Sequence, residues 1–376
     1  MRRSKLAQGQ SGRLLSLDLL RGLTVIGMIL VNSAAYLQSL GGYPAYPVLL
    51  HSAWAGYTAA DAVFPAFILL VGVSIAVSMA PVKARGRATA PLIGQIGMRS
   101  LRLIAFGLLI SNLYWLADYD QNHWRAFGVL QRIGLTFFAT ALIYLHAGPR
   151  TRLAVAAALL LIYWPLTLLP CPDGVPTDLN EVGANFVSWT ERAFLGVHAY
   201  RTGAHGYDPE GLLGVIPSIA QALIGAAAGE WLLAKGRVAA TPIGLAVAGV
   251  ALTVAGLAWG LVFPPVKALW TSSYVLLSSG PVLLALAGLY AAFDLKGWRL
   301  WGAGFVLAFG VNAIFAYVLH ELASIVLEAE AARWLFAGAA RILPAEAASL
   351  VPVAAFIAAL WLPVGYLYKR GWIVKI

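Results

Sequence analysis

The sequence predicts an all-α, polytopic membrane protein of about ten transmembrane helices with its N and C termini in the cytoplasm. Three observations predict it. Of 376 residues, 60% are hydrophobic and only 11% charged, where a soluble chain carries roughly 25% charged residues. The apolar residues gather into ten runs of about 17–27 residues, enough to cross ~30 Å of hydrocarbon at ~1.5 Å per residue. The Lys and Arg residues lie in short clusters between these runs, mostly on one side.

The runs follow in order. Run 14–37 comes after Met1-Arg2-Arg3 and imitates a signal peptide. Asp18 and Arg21 interrupt its start and no convincing cleavage site follows, so it reads as a retained first helix. Run 59–80 opens on Asp61 and ends before Lys83, Arg85 and Arg87. Run 100–117 begins beside Arg99 and Arg102, and run 127–146 carries Gln131 and Arg132 near its start. Run 152–170 follows Arg150 and Arg152, and run 212–234 stops at Lys235 and Arg237. Run 240–262 is followed by run 272–292, which ends before Lys296 and Arg299. Run 301–327 holds Asn312, His320 and Glu321, and run 348–368 ends at Lys369, Arg370 and Lys375. Internal Pro and Gly do not exclude these spans, because neighbouring helices can satisfy the freed backbone groups.

Counting Arg2, Arg3, Lys5 and Arg13 with those clusters, roughly three quarters of the basic residues fall on one side, which is then cytoplasmic. The opposite side takes the segment 38–58, a short loop with Asp118 and Asp120, and the long extracytoplasmic loop 171–211. That loop lacks a core of its own and no internal repeat is visible, so 1–376 reads as a single transmembrane domain. Segments of some forty residues without regular structure are commonly functional or disordered.

Other classes are excluded on simple grounds. The net charge of +10 is spent on orientation, so no nucleic-acid partner is expected; the expected partners are membrane lipids and a small substrate. A single cysteine, Cys171, allows neither an intrachain disulfide nor a cysteine metal site. The six histidines do not fall in spaced pairs within single spans, which argues against a membrane cytochrome, and no metal is expected. The absence of any Asn-x-Ser/Thr sequon favours a bacterial origin. Whether the chain works as a monomer or a homodimer is left open.

In a bilayer the informative residues are the polar ones within apolar runs. Asn32 sits near the outer end of the first run, His51 follows in a Gly/Tyr/Pro-rich segment, and Asp61 comes ten residues later. Gln131, Arg132, Asp208, Glu210, Ser218, Gln221, Ser272, Ser273, Tyr274, Asn312, His320 and Glu321 complete the set. With the orientation above, nearly all lie in the outer half of the membrane, which a shared cavity opening outward explains. A second group, Asp18 and Arg21 with Arg99 and Arg102, gathers at the inner side. Three residues apart on a helix, Asp18 and Arg21 can pair.

Each of these has a plain structural reading beside the functional one. The Asp18–Arg21 pair is either an interfacial anchor or, through the planar Arg fork, a phosphate site. Asp61 either caps the second helix after Thr58 or orients a base. Asp208 and Glu210 either start a solvated helix or form an acidic vestibule for a protonated amine. Arg132 and Glu321, too deep to stand alone, are expected to pair, with one another or with another charge, or to face substrate. The tryptophans read as interfacial anchors, with Trp54 the one candidate for stacking on a sugar.

The runs "SLDLLRGLTVIGMILVN" and "LLHSAWAGYTAADAVFPAFILLVGVSIAVSM" resemble the membrane catalytic domain of heparan-alpha-glucosaminide N-acetyltransferase and its bacterial relatives. The blocks "GVLQRIGLTFF", "YDPEGLLGVIPSIAQALIGAAAGEWL", "VKALWTSSYVLLSSG" and "VNAIFAYVLHEL" continue the likeness, in the family's order and over nearly the whole chain. The resemblance implies transmembrane acetylation: acetyl-CoA as cytoplasmic co-substrate, and the amine of an amino sugar, such as glucosamine or a glycan bearing it, as acceptor on the other face. It makes His51 catalytic, and places Asn32 and Asp61 in the active site. The chain departs from the animal enzyme by starting directly at the catalytic domain, which bears on substrate rather than chemistry.

That chemistry asks for a base near neutral pH, oxyanion donors and a group that orients the base. His51, Asn32 and Asp61 answer those needs in turn. Arg21 and Asn32, eleven residues apart, are separated by ~16 Å along a helix, comparable to an extended pantetheine arm. The inner group Asp18, Arg21, Arg99 and Arg102 would then hold the cofactor's phosphates. Trp54, Arg132, Asp208, Glu210, Asn312, His320 and Glu321 would face the acceptor. Competing readings are a sugar or lipid transporter or flippase, an envelope polysaccharide O-acyltransferase (which shares a D-x-x-R-G-like start of the first helix), and a structural scaffold, which leaves the buried charges unexplained.

Overall fold

Ten apolar runs become helices, and two of them do so in unexpected ways. The computed structural model describes residues 14–86, 89–117, 123–299 and 301–374. Arg2, Arg3, Lys5, Arg13, Arg87, Asp118, Asp120 and Lys375, used above for orientation, lie outside the described residues. Among the described residues, eight helices are long and apolar enough to cross a membrane, and a bent pair supplies a ninth candidate span. Among the described residues there is no strand, and the chain packs as two compact units.

The first unit comprises 14–51, 58–63 and 285–374 within the described residues. Its first helix, α1 (Leu15–Ser39), is 25 residues long. It needs an acceptor at its start, and Asp294 provides one from far along the chain. The Asp294 carboxylate accepts the N–H groups of Leu15 at 3.0 Å and Ser16 at 2.9 Å, satisfying two of the four donors a helix start leaves open. Asp294 sits in a wider π-type turn, Tyr290–Leu295, that extends the end of a long helix.

The second unit comprises 52–57 and 64–284. It holds most of α2 (Val63–Ala84), then α3 (Ala90–Ser111), the short α4 (Leu113–Ala117), α5 (Val129–His146), α6 (Pro149–Thr167), α7 (Phe186–Phe194), α8 (Val215–Lys235), α9 (Ala240–Gly260) and much of α10 (Ser272–Leu289). The run expected at 152–170 is α6, a 19-residue helix opening on Pro149. α2 and α8 meet backbone to backbone: a Cβ on Gly72 would lie 1.8 Å from the Ala222 carbonyl oxygen, and one on Gly225 2.0 Å from that of Leu69. In lipid, such small-residue seams supply the close contact that a hydrophobic drive cannot.

The third run starts earlier than expected. α3 begins at Ala90 with Pro91 in its first turn, where a fixed φ suits helix initiation. Arg99 and Arg102 therefore sit ~15 Å into the helix rather than at its end. The helix then breaks at Asn112, whose side-chain amide donates to Leu108 O at 2.7 Å and Arg125 O at 3.0 Å.

The ninth run is also broken. In the first unit, α11 (Ala303–Val311) and α12 (Ala313–Ala323) meet at Asn312, the bent pair turning by 88°. The Asn312 amide pairs with backbone after α14 (Ala345–Arg370), donating to Trp372 O at 3.2 Å and accepting from Val374 N at 2.9 Å. α11 crosses the N-terminal part of α1 closely, since a Cβ on Gly22 would stand 2.1 Å from the Val306 carbonyl oxygen and one on Gly310 2.0 Å from that of Asp18. Between α12 and α14 lies α13 (Glu330–Ala339), which packs on α14.

Candidate active site

The segment between α1 and α2 makes two short 3₁₀ turns, Pro47–Leu49 and Ala60–Ala62, and both pack on α1. His51 follows the first turn after Leu50, which is extended, and Asp61 lies inside the second. The turns bring them together: His51 Nδ1 is 2.8 Å from Asp61 Oδ1. The Asp61 side chain is fully buried, whereas that of His51 is 39% exposed. A carboxylate only accepts, so Nδ1 carries the proton in the neutral ring and Nε2 keeps its lone pair. The second carboxylate oxygen of Asp61 accepts the backbone N–H of Thr58 at 3.1 Å. One oxygen of Asp61 thus accepts from the turn that precedes α2, and the other faces the imidazole.

Asn32 lies on α1, half-buried, seven residues before its end. A Cβ on Gly27, ~7.5 Å before it along the helix, would be 3.8 Å from Val63 Cγ2, two residues after Asp61. At the other end of α1, Asp18 and Arg21 form the expected pair at 3.3 Å. Asp18 is buried under the α11 crossing, and Arg21 is 28% exposed. In the other unit, Arg99 and Arg102 lie on the exposed face of α3, with the Arg99 guanidinium 4.8 Å from the Phe137 ring centre.

Several expected acceptor contacts are occupied by the protein itself. Trp54 is buried, donates its indole N–H to Leu179 O at 3.0 Å and meets the Tyr207 ring edge-on at 5.1 Å. Its faces belong to a core with Tyr163, Val187 and Phe263, so it offers no platform for a sugar. The long loop 171–211, which lacks a core of its own, joins that core through Leu179 and Val187. Asn312 is committed to the backbone at 372–374, as described above. Asp208 and Glu210 are clasped by Arg125, which the sequence reading missed. Its Nη2 is 2.7 Å from Asp208 Oδ1, its Nε 3.2 Å from Asp208 Oδ2, and it also pairs with Glu210. Burial works against the charged guanidinium, but the two carboxylates outweigh it and raise the Arg125 pKa. The acids therefore lock the loop rather than present free charge.

Arg132 and Glu321 fall in different units, and each has contacts within its own. Arg132, fully buried, donates to Gly211 O at 3.3 Å and lies over the Trp270 ring at 5.0 Å, within the field of Glu210, Asp208 and Glu191. Glu321 stands 3.9 Å from its neighbour His320, which is buried beside Phe356. Glu191 on α7 is a second residue the sequence reading missed. Its carboxyl is buried against Gly211, and neither oxygen has a hydrogen bond of good geometry. Burial pushes its pKa up to about 8, with Asp208 adding to the effect and Arg132 opposing it.

No spacing signal marks Arg125, because its partners lie 83 and 85 residues away. Thr58 was readable as the T-x-x-D start of a helix. Among the described residues no group of His, Cys, Asp and Glu could hold a metal ion.

The family model described as heparan-alpha-glucosaminide N-acetyltransferase, catalytic, matches residues 13–258. The heparan-alpha-glucosaminide N-acetyltransferase of Homo sapiens is 34% identical over 353 residues, covering 80% of this chain and 52% of that protein. The protein of the same name from Mus musculus is 30% identical over 358 residues, covering 82% and 53%. The chain thus spans about half the length of these relatives.

Proposed function

The chain belongs to the heparan-alpha-glucosaminide N-acetyltransferase catalytic family, and from that premise we propose that it is a transmembrane N-acetyltransferase. It takes acetyl-CoA from the cytoplasmic side and acetylates the amine of an amino sugar, glucosamine or a glycan bearing it, on the extracytoplasmic side. It does so as a multi-pass protein of the plasma (inner) membrane. The observation that carries the reading is the His51–Asp61 pair, a buried carboxylate orienting a reachable imidazole at 2.8 Å.

In this mechanism the amine nitrogen attacks the thioester carbonyl carbon while His51 Nε2 takes the proton the amine gives up. Asp61 holds the ring in the required tautomer and stabilises the imidazolium. The Asn32 amide donates to the oxyanion as it forms. The carbon–sulfur bond then breaks, the thiolate leaves as coenzyme A, and the proton on His51 passes to sulfur or to solvent. The half-buried guanidinium of Arg21, steadied by Asp18, suits a phosphate group at the inner end of the same helix.

The test is purified protein in detergent with acetyl-CoA and, in separate reactions, glucosamine, glucosamine oligomers and muropeptides. Thiol release and an acetylated product by mass spectrometry are expected, and both should vanish in His51→Ala. A normal rate in folded His51→Ala removes the mechanism. No thermal shift with saturating coenzyme A favours transport instead, and acetylation of hydroxyls alone makes the protein an O-acyltransferase.

A further inference from the structure

We infer that Thr58 is a positioning residue for the His51 imidazole, tying together the peptide that carries the ring and the carboxylate that orients it. The inference rests on the proposed reading of His51 as the base.

Three contacts carry it. The Thr58 hydroxyl donates to Leu50 O at 2.7 Å. The Thr58 backbone N–H donates to Asp61 Oδ2 at 3.1 Å, and the hydroxyl oxygen stands 3.1 Å from the same carboxylate oxygen. Asp61 N in turn donates to Thr58 O at 3.1 Å, closing the turn. With one hydroxyl proton to give, Thr58 spends it on the shorter contact to Leu50 and holds Asp61 chiefly through its N–H.

The Leu50 carbonyl belongs to the peptide plane that ends at His51 N. Fixing that oxygen fixes the plane, and only the φ rotation of His51 then separates it from the ring's own torsions. Asp61 Oδ1 holds those torsions from the other side. Thr58 therefore closes the loop that leaves Leu50 and returns to Asp61. Valine in its place would keep the volume and the N–H but lose the hydroxyl. Leu50 O would be released, and Asp61 would keep one of its two contacts with this residue. Serine would restore both.

A residue that merely starts α2 would alter stability and leave the imidazole alone, so the test reads the imidazole. Protein labelled with ¹⁵N-histidine, the His51 signal assigned by its loss in His51→Asn, is titrated as wild type, Thr58→Val and Thr58→Ser. Acetyl transfer is followed against pH in the same three proteins. In Thr58→Val the His51 titration should move and kcat fall about tenfold, with KM for acetyl-CoA changed less than about twofold. Thr58→Ser should recover both.

A Thr58→Val titration that superimposes on wild type, with kcat reduced less than about twofold, overturns the inference. A moved titration in a protein that acetylates nothing upholds the positioning role and removes the proposed function instead. If Thr58→Val does not fold, Thr58→Cys gives the same comparison, because it keeps the volume and weakens the donor.

Discussion

Replacing Asp61 by Asn tests the tautomer argument at nearly constant volume. The Asn carbonyl would take the Thr58 N–H, which Asp61 now accepts at 3.1 Å, because that donor cannot turn around. The amide NH₂ would then face His51 Nδ1, which must accept, so the ring proton moves to Nε2 and the base is gone. The lost carboxylate also leaves the imidazolium without its counter-charge. A unit charge ~4 Å away contributes ~4 kcal/mol at an effective dielectric of about 20, and the ring's 39% exposure roughly halves that figure through solvent screening. Restoring the useful tautomer costs about 2 kcal/mol more, the size of a hydrogen bond to a charged group.

The sum, ~4 kcal/mol, is about a thousandfold in kcat. KM should hardly move, because the fully buried Asp61 side chain does not reach substrate. The assay is thiol release from acetyl-CoA with glucosamine, at temperatures well below the melting transition of each variant. Asp61→Ala supplies the decisive comparison. It frees the ring to adopt either tautomer and should retain more activity than Asp61→Asn, although it removes more structure. An Asn variant within about tenfold of wild type, or one more active than Ala, would refute the argument.

Three other expectations concern stability and can be read from melting curves in detergent. Arg125→Met leaves Asp208 and Glu210 without their counter-charge and should destabilise by about 3–5 kcal/mol, with Asp208→Asn restoring part of the loss in the double variant. Glu191, with its pKa raised from 4.5 to about 8, binds its proton in the folded protein where the unfolded chain has released it. Its stabilising contribution is complete below pH 4.5 and lost as pH rises through about 8; wild type should therefore lose stability relative to Glu191→Gln across that window and run parallel to it above. Asp294→Ala uncovers two N–H groups at the start of α1 and should cost about 1–2 kcal/mol, with faster hydrogen exchange confined to the first turn of that helix.

The contacts around the proposed base were the part that could be read from local order. His51, Thr58 and Asp61 lie within eleven residues, so spacing alone puts the imidazole, the carboxylate it meets and the turn before α2 on one short segment. Apolar run length likewise located most spans. The features that escaped depend on distant partners. Nothing in "VNAIF" announces a break, because the bend at Asn312 comes with amide bonds to backbone at 372 and 374. Arg125 carries no local signal, because Asp208 lies 83 residues further on. Trp54 looked available because its cover, Leu179 and Tyr207, is more than a hundred residues away. The early start of α3 was within reach: Pro91 marks it, but the hydropathy of the run drew attention to 100–117 instead.

The carboxylate that starts α1 has a consequence for biogenesis. Asp294 lies 278 residues beyond Ser16, so at 5–20 residues per second the ribosome needs roughly 15–55 s to supply it. Until then α1 waits with open amides, and the α11 seam against Gly22 does not exist. The unit that carries the imidazole is thus complete only once the segment 285–374 can join 14–51 and 58–63. A nascent chain stalled before residue 294 should contain a folded second unit and no working base.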